Sequence, residues 1–239
     1  MPGPTAPPEP GPTGVGGYRH EALAVVLAVR DATLQVLLWR RARAPHRGSW
    51  ALPGGALGPA ETLGASVARQ LAAKVDVRQL AHLEQLETRS DPGRDPSGRV
   101  VATAYLGLVP AHLDPDLPPD TAWHPVAHLP PTAFDHGSIV ASGVERLRAK
   151  LGYTNLGFAL APPAFTVSEL RVIYRAALGH DVSATNLQRV LLRRHLLEPT
   201  GEYVAPGRTG GRPAAVFRFR VGRLEVTDQF AVLGPPRRG

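Results

Sequence analysis

Two short runs near the start of the chain, "ALAVVLAV" and "LQVLLWR", are apolar and rich in branched side chains, and the polar "RDAT" divides them. Such runs bounded by turn formers predict neighbouring β-strands. The stretch "RARAPHRGSWALPGG" that follows is punctuated by Pro and Gly and predicts a loop with Trp50 embedded in it. Between residues 62 and 75 the period changes. Leu63, Val67, Leu71 and Val75 fall every fourth position, a single helical stripe, and Thr62 stands where it can cap the start. "AHLEQLETR" and "RVVATAYLGLVP" predict two more strands, joined by the turn-rich "SDPGRDPSG". The proline-heavy "AHLDPDLPPD" predicts an excursion loop, and "GSIVASGVERLRAKL" a second helix with Ile139, Val140, Val144, Leu147 and Leu151 inward. Strands and helices in this mixed order predict an α/β (α+β) sandwich over residues 18–152.

The pattern breaks at "GYTNLGFALAPPAF", so residues 153–164 are expected to link two domains. In "TVSELRVIYRAALG", Val167, Leu170, Ile173, Tyr174, Ala177 and Leu178 keep helical spacing and Gly179 is the expected stop. "SATNLQRVLLRRHLL" predicts another helix, with Ser183 as a cap and Leu187, Val190 and Leu191 on its apolar side. Asn186, Arg189 and Arg193 fall at i, i+3 and i+7, on one exposed face. Next, "YVAPGRTGGRPAAVFRFRV" alternates, with Phe217, Phe219 and Val221 facing one way and Arg218 and Arg220 the other. A Gly-rich basic loop before it makes a β-hairpin with a positive tip. Two helices and such a hairpin describe a winged helix-turn-helix over residues 165–227. Residues 1–17, with six prolines and five glycines, and residues 228–239 read as tails.

Composition narrows the classes. A chain of 239 residues that is 43% hydrophobic has material for two cores. It contains no run of about 18 apolar residues that would span a membrane, and its first residues lack the basic start and apolar core of a secretory signal. The absence of cysteine excludes disulfides and thiolate metal sites, and the nine histidines show no metal-ligand spacing. A cytoplasmic protein with no membrane partner is expected. Net charge is +7, and from residue 164 onward twelve arginines and no lysine stand against six acidic residues. Charge alone does not separate a solvated basic surface from one that grips a polyanion. Coincidence with a second helix and a wing favours double-stranded DNA. Arg pairs bidentately with guanine and Asn with adenine in the major groove, while wing arginines hold phosphates. The candidate contacts are Thr185, Asn186, Arg189, Arg193, Arg208 and Arg212. The alternative for Arg193 and Arg194 is that they solvate a helix end and complement its dipole. His195 is expected to be buried or to cap the helix.

The stretch "GGALGPAETLGASVARQLAAKVDV" carries the other candidate chemistry. In the Nudix motif a Gly is followed after five residues by Glu, then after seven by Arg-Glu-aliphatic-x-Glu-Glu-x-Gly-aliphatic. Gly55, Glu61, Arg69, Leu71 and Val77 match it in register, and Arg41, Pro45, Gly48, Trp50 and Pro53-Gly54-Gly55 resemble the family's approach to it. The resemblance spans about residues 22–151 and implies a Nudix-type α/β/α sandwich. Three glutamates of the motif, however, fall at Gln70, Ala73 and Lys74, and its second Gly at Asp76. Positions i, i+3 and i+4 share a helix face, where carboxylates together hold Mg²⁺ against a diphosphate. Here one is a neutral amide, one a methyl group and one a cation. Two like charges about 4 Å apart repel by roughly 4 kcal/mol at an effective dielectric near 20. Hydrolysis is therefore expected to be lost or vestigial, with no metal and no catalytic residue assigned. The pocket is expected to persist: Lys74 and Arg69 would neutralise a diphosphate, and Trp50 would wall it or stack on a base, unless Trp50 is core packing and Lys74 a solvated residue. Glu61 is either a loop anchor or a ligand contact.

"LPPTAFDHGSIV", "RLRAKLGY", "FTVSELRVIY" and "TNLQRVLLRRHLLEPTGE" with its "GGRPA" wing resemble segments of the NrtR family, Nudix-related transcriptional regulators of NAD metabolism. The resemblance implies a homodimeric repressor on a palindromic operator, with ADP-ribose or a related nucleotide as effector. It places the effector contacts at Arg41, Trp50, Gly54, Gly55, Glu61, Arg69 and Lys74. Where the family's reading helix often begins with basic residues, this chain has Ala184 and Thr185. "ERLRAKLGY" is expected to link the two parts mechanically, with Lys150 near the DNA backbone. Two other classes remain: a regulator responsive to a sugar or sugar phosphate, and a hydrolase with residual ADP-ribose pyrophosphatase activity that recruits Glu61, Glu84 or Glu87 as ligands.

Overall fold

The computed structural model describes residues 18–75, 77, 79–205 and 212–228. Its central strand is β1 (Arg19–Arg30), which turns into the antiparallel β2 (Thr33–Arg40). Side chains alternate across a strand, and β1 uses both faces for core. Ala22, Ala24, Val26 and Ala28 meet Val67, Leu71 and Val75 of α1 (Leu63–Val75). Leu23, Val25, Leu27 and Val29 join the cluster containing Ile139, Val140, Val144 and Leu147 of α2 (His136–Tyr153). A strand covered on both faces needs the continuous apolar run that the sequence carries. Thr62 caps α1 as expected, its Oγ1 accepting from the Ala65 amide at 3.2 Å.

The sheet is mixed and seven-stranded. β5 (His82–Arg89) and β6 (Val100–Val109) pair antiparallel, and β6 lies parallel to β1. Three strands were not expected. β3 (Trp50–Ala51) and β4 (Gly54–Ala56) lie within the expected loop and pair with β2 and β1, and β7 (Thr121–Pro125) follows the excursion loop and pairs with β2. β3 and β4, of two and three residues, show no period, so only pairing reveals them.

The winged helix is built from β8 (Phe165–Thr166), α3 (Val167–Leu178), α4 (Ala184–Arg193), β9 (Leu197–Val204) and β10 (Ala214–Phe219), with β10 central in a three-stranded sheet. Thr166 and Glu169 form a reciprocal capping box on α3, and Gly179 ends that helix with φ of 78°, a left-handed turn a β-carbon would disfavour. Ser183 caps α4 through the Asn186 amide. β10 ends at Phe219, so Val221 lies beyond the strand, although exposure still alternates from Phe217 to Val221; a bulge near Ala215 leaves both Val216 and Phe217 buried. His195 is exposed; one position past Arg194, the C-cap of α4, it takes φ of 55°, so its part is in turning the chain away from the helix end.

Residues 153–164 are packed rather than strung between the parts. Leu156, Ala159 and Leu160 are fully buried in the cluster that also holds Ile139 of α2 and Phe165, Leu170 and Leu187 of the winged helix. The chain after β10 returns to this segment. Asn155 donates to the Val221 and Arg223 carbonyls and accepts from the Glu225 amide, and Val226 bridges Thr154.

Candidate functional site

A cleft of about 480 Å³ opens where β4, the last turn of α1 and the start of α2 converge. Gly54, Gly55, Arg41 and Lys74 line it, as the sequence predicts; Glu21, Trp39, Arg43, Phe134 and His136 join them. Trp50, Glu61 and Arg69 lie outside the lining. Trp50 packs edge-on to His124, with the Arg40 guanidinium 4.5 Å from its ring centre, so the aromatic wall of the cleft is Trp39 instead. Glu61 acts as a loop anchor. Its carboxylate accepts from the Gly58 amide at 2.9 Å and from Arg69 at 2.8 Å, and the Arg69 hydrogen bond foremost holds its pKa down at about 2. Arg69 is thereby engaged at the helix surface and not aimed into the cleft.

Lys74 is the unusual residue. Its ammonium bonds the Gly54 carbonyl oxygen and sits 4.4 Å from the centre of the Trp39 ring. Burial lowers its pKa, the nearby Glu21 opposes that shift, and Arg41, Arg69 and Arg43 add to it. Gln70 is buried, its amide nitrogen only 2.7 Å from where a β-carbon on Gly55 would stand. Where the fold family holds magnesium, this chain thus presents an ammonium, a buried amide and an exposed methyl group. Magnesium takes hard, charged oxygen ligands, and this donor set does not fit it. Among the described residues, no three His, Asp or Glu side chains gather around any candidate metal position. The cleft's charge suits an anion: Arg41, Arg43 and Lys74 against Glu21.

Its inner end is tied down by buried polar contacts. Arg94, buried within the 90–99 loop, makes a bidentate pair with Asp135 at 2.7 and 3.2 Å. Phe134 takes φ of 52°, a conformation costly for a bulky residue, with the Arg41 guanidinium 4.6 Å from its ring centre. His136 Nδ1 accepts from the Leu52 amide at 2.9 Å, which places the ring proton on Nε2. Burial holds His136 neutral, with a pKa near 3 instead of 6.5. A folded-state pKa below the unfolded one means that acid protonates the unfolded chain first. This residue's contribution to stability is complete above pH 6.5 and is lost as pH falls toward 3. Urea denaturation across that window should show His136→Gln with an acid slope shallower than wild type, by up to about 1.4 kcal/mol per pH unit. Equal slopes would mean that His136 does not titrate this way.

In the winged helix, Thr185, Asn186, Arg189 and Arg193 are all exposed on α4. The Arg189 guanidinium donates to Asn186 Oδ1 at 2.7 Å, so the two candidate base-reading side chains are held together. Arg212 is exposed just before β10, at the hairpin's return; Arg208 lies outside the described residues, as does Asp76. Lys150 is not on this surface. Its ammonium pairs with Glu84 of β5, which Arg146 and His82 also approach, so its expected DNA contact is corrected to an ion pair within the first part of the chain. Glu87 pairs with Arg89. Among the described residues no helix is long and apolar enough to cross a membrane.

The sandwich with a charged cleft beside its Gly-Gly strand, followed by two helices and a hairpin, is the architecture of a Nudix-fold protein carrying a winged helix. Residues 20–142 match the family described as NUDIX domain, and residues 157–219 match the NrtR DNA-binding winged helix domain. The "ADPR responsive transcriptional repressor NtrR" of Acinetobacter baylyi is 30% identical over 201 residues, 81% of this chain and 79% of that protein. The crystal structure of Shewanella oneidensis NrtR complexed with a 27mer DNA superposes with a TM-score of 0.71 at 32% identity, covering 84% of this chain and 93% of that one. The NUDIX domain of the same protein complexed with ADP ribose gives a TM-score of 0.51 at 32% identity, over 57% of this chain and 92% of that one. This chain belongs to the NrtR family of Nudix-related proteins.

Proposed function

We propose that this protein is a cytoplasmic, homodimeric transcriptional repressor of NAD-metabolism genes. In this reading residues 18–152 sense ADP-ribose or a related nucleotide and residues 165–227 read a palindromic operator. The observation that carries it is the Lys74 ammonium seated on the Gly54 carbonyl in a cleft with Arg41 and Arg43. Fixed cations there would neutralise a diphosphate without a metal, and with no Lewis acid to activate water or leaving group the ligand is bound and not cut. The Acinetobacter repressor is described as responsive to ADP-ribose, and the Shewanella protein has been crystallised with ADP ribose and with DNA. Both lend support to the same ligand and partner for this chain. Against the alternative hydrolase reading stands that Glu61, Glu84 and Glu87, its candidate replacement ligands, are each paired with a cation.

Calorimetry with ADP-ribose in the presence of EDTA, alongside a sugar and sugar-phosphate panel, tests the sensor. Binding without divalent ions is expected, and mobility shift on the NAD-gene promoters is expected to change when ADP-ribose is added. Silence toward every nucleotide would overturn the reading. Mg²⁺-dependent release of AMP would replace it with the hydrolase.

A further inference from the structure

Helix α2 joins the two surfaces. It begins at His136, in the lining of the cleft, and runs 18 residues, about 27 Å at 1.5 Å per residue, to Tyr153. One side chain from the winged helix reaches two carbonyls at the far end of α2, that of Gly152 in the last turn and that of Thr154 just past it. Arg194 donates through Nη1 to Gly152 O at 3.2 Å and through Nη2 to Thr154 O at 3.0 Å, while its Nε reaches Thr227 Oγ1 at 3.1 Å. Thr227 is held in turn by the Tyr153 carbonyl, through its own amide at 2.9 Å. A cation among the last carbonyls of a helix also meets the negative end of its dipole. The planar guanidinium supplies several donors in a fixed fork, which an ammonium would not.

Arg194 is itself the residue that closes α4, its amide bonding the Val190 carbonyl at 3.0 Å. Its neighbour Arg193 is exposed, whereas Arg194 turns the other way, onto α2 and the returning strap. The near end of α2 is equally fixed, through the buried Arg94–Asp135 pair and the His136–Leu52 bond. A helix held at both ends moves as one piece.

We propose that Arg194 is a positioning residue that fastens the reading helix to the far end of α2, so that a ligand seated against His136 alters how α4 is presented to DNA. The inference rests on the effector reading above and adds to it the residue that transmits the change. Lys150, which pairs with Glu84, has no such part.

Full-length wild type, Arg194→Ala, Arg194→Lys and Thr227→Val are compared by calorimetry with ADP-ribose and by fluorescence anisotropy on operator DNA with and without saturating ADP-ribose. In wild type the ligand is expected to change operator affinity about 10-fold or more, within the range usual for coupled sites. In Arg194→Ala and Thr227→Val, ADP-ribose affinity should stay within about 2-fold of wild type while the ratio of operator affinities falls below about 3-fold. Arg194→Lys should restore part of the ratio. An unchanged ratio in both deletions would overturn the proposal. So would a loss of operator affinity equal with and without ligand, which would make Arg194 a phosphate contact. If Arg194→Ala does not fold, Thr227→Val decides alone, since it removes one acceptor and leaves the guanidinium in place. A wild-type protein that binds no ADP-ribose, or whose operator binding ignores it, refutes the effector reading and this inference together, before any variant is compared.

Discussion

Lys74→Met should weaken ADP-ribose binding about 30- to 150-fold while leaving ligand-free operator binding intact. The magnitude follows from charge. An ammonium about 4 Å from a diphosphate oxygen gains roughly 4 kcal/mol at an effective dielectric near 20, and its half-buried state and its existing bond to Gly54 O reduce that to about 2–3 kcal/mol net. Met keeps the aliphatic stem against Trp39, so packing changes little and the loss reports the charge. Lys74→Glu should be more severe in EDTA, because it sets a carboxylate beside Glu21 and the incoming phosphates. Calorimetry without divalent ions is the measurement. An affinity unmoved by Lys74→Met would confine the ammonium to tethering the β4 backbone.

The second large effect is on DNA. Arg189→Ala should cost about 1–3 kcal/mol of operator affinity, roughly 5- to 150-fold, and should relax discrimination at the base it reads. The Asn186–Arg189 hydrogen bond sharpens this expectation, since a guanidinium already oriented by its neighbour loses less freedom on docking. Arg212→Ala, at the root of the wing, should weaken binding evenly across sequences and lower the salt slope by about one. Competition titrations with operator and scrambled duplexes separate the two behaviours. Undiminished retardation of operator by Arg189→Ala would remove α4 from the role of reading helix.

Much of this was visible in the residues themselves. The long elements announce themselves by period: the four-residue stripe of α1, the unbroken apolar β1, and Gly179 at the end of α3. The altered metal positions were legible because the motif's register passes through Gly55, Glu61 and Arg69 and so fixes which residues stand at 70, 73 and 74. What could not be read was whatever depends on pairing between distant segments. Glu21 reaches the cleft only because β1 pairs with β4, and Trp39, at the end of an apolar strand, reads as core. Trp50 carried the family pattern yet packs edge-on to His124 outside the cleft, since the two-residue β3 that orients it is too short to show a period. Phe134 and His136 did leave a trace, in the "AFDH" segment, but nothing in a linear pattern says that a buried imidazole lines a cleft. The same holds for Arg194. Its position among three arginines on and after α4 suggests a basic surface, and only the folded chain turns it inward.

The two faces of β1 differ in bulk as well as in partner. Toward α1 it offers mostly methyl groups, those of Ala22, Ala24 and Ala28; toward α2 it offers Leu23, Val25, Leu27 and Val29. Thin packing lets α1 nestle against the sheet, and that intimacy is what brings an ammonium on its last turn down onto a strand carbonyl. A bulkier residue at Ala24 would act as a shim, lifting the helix and unseating Lys74 from Gly54 with the cleft's own residues all unaltered.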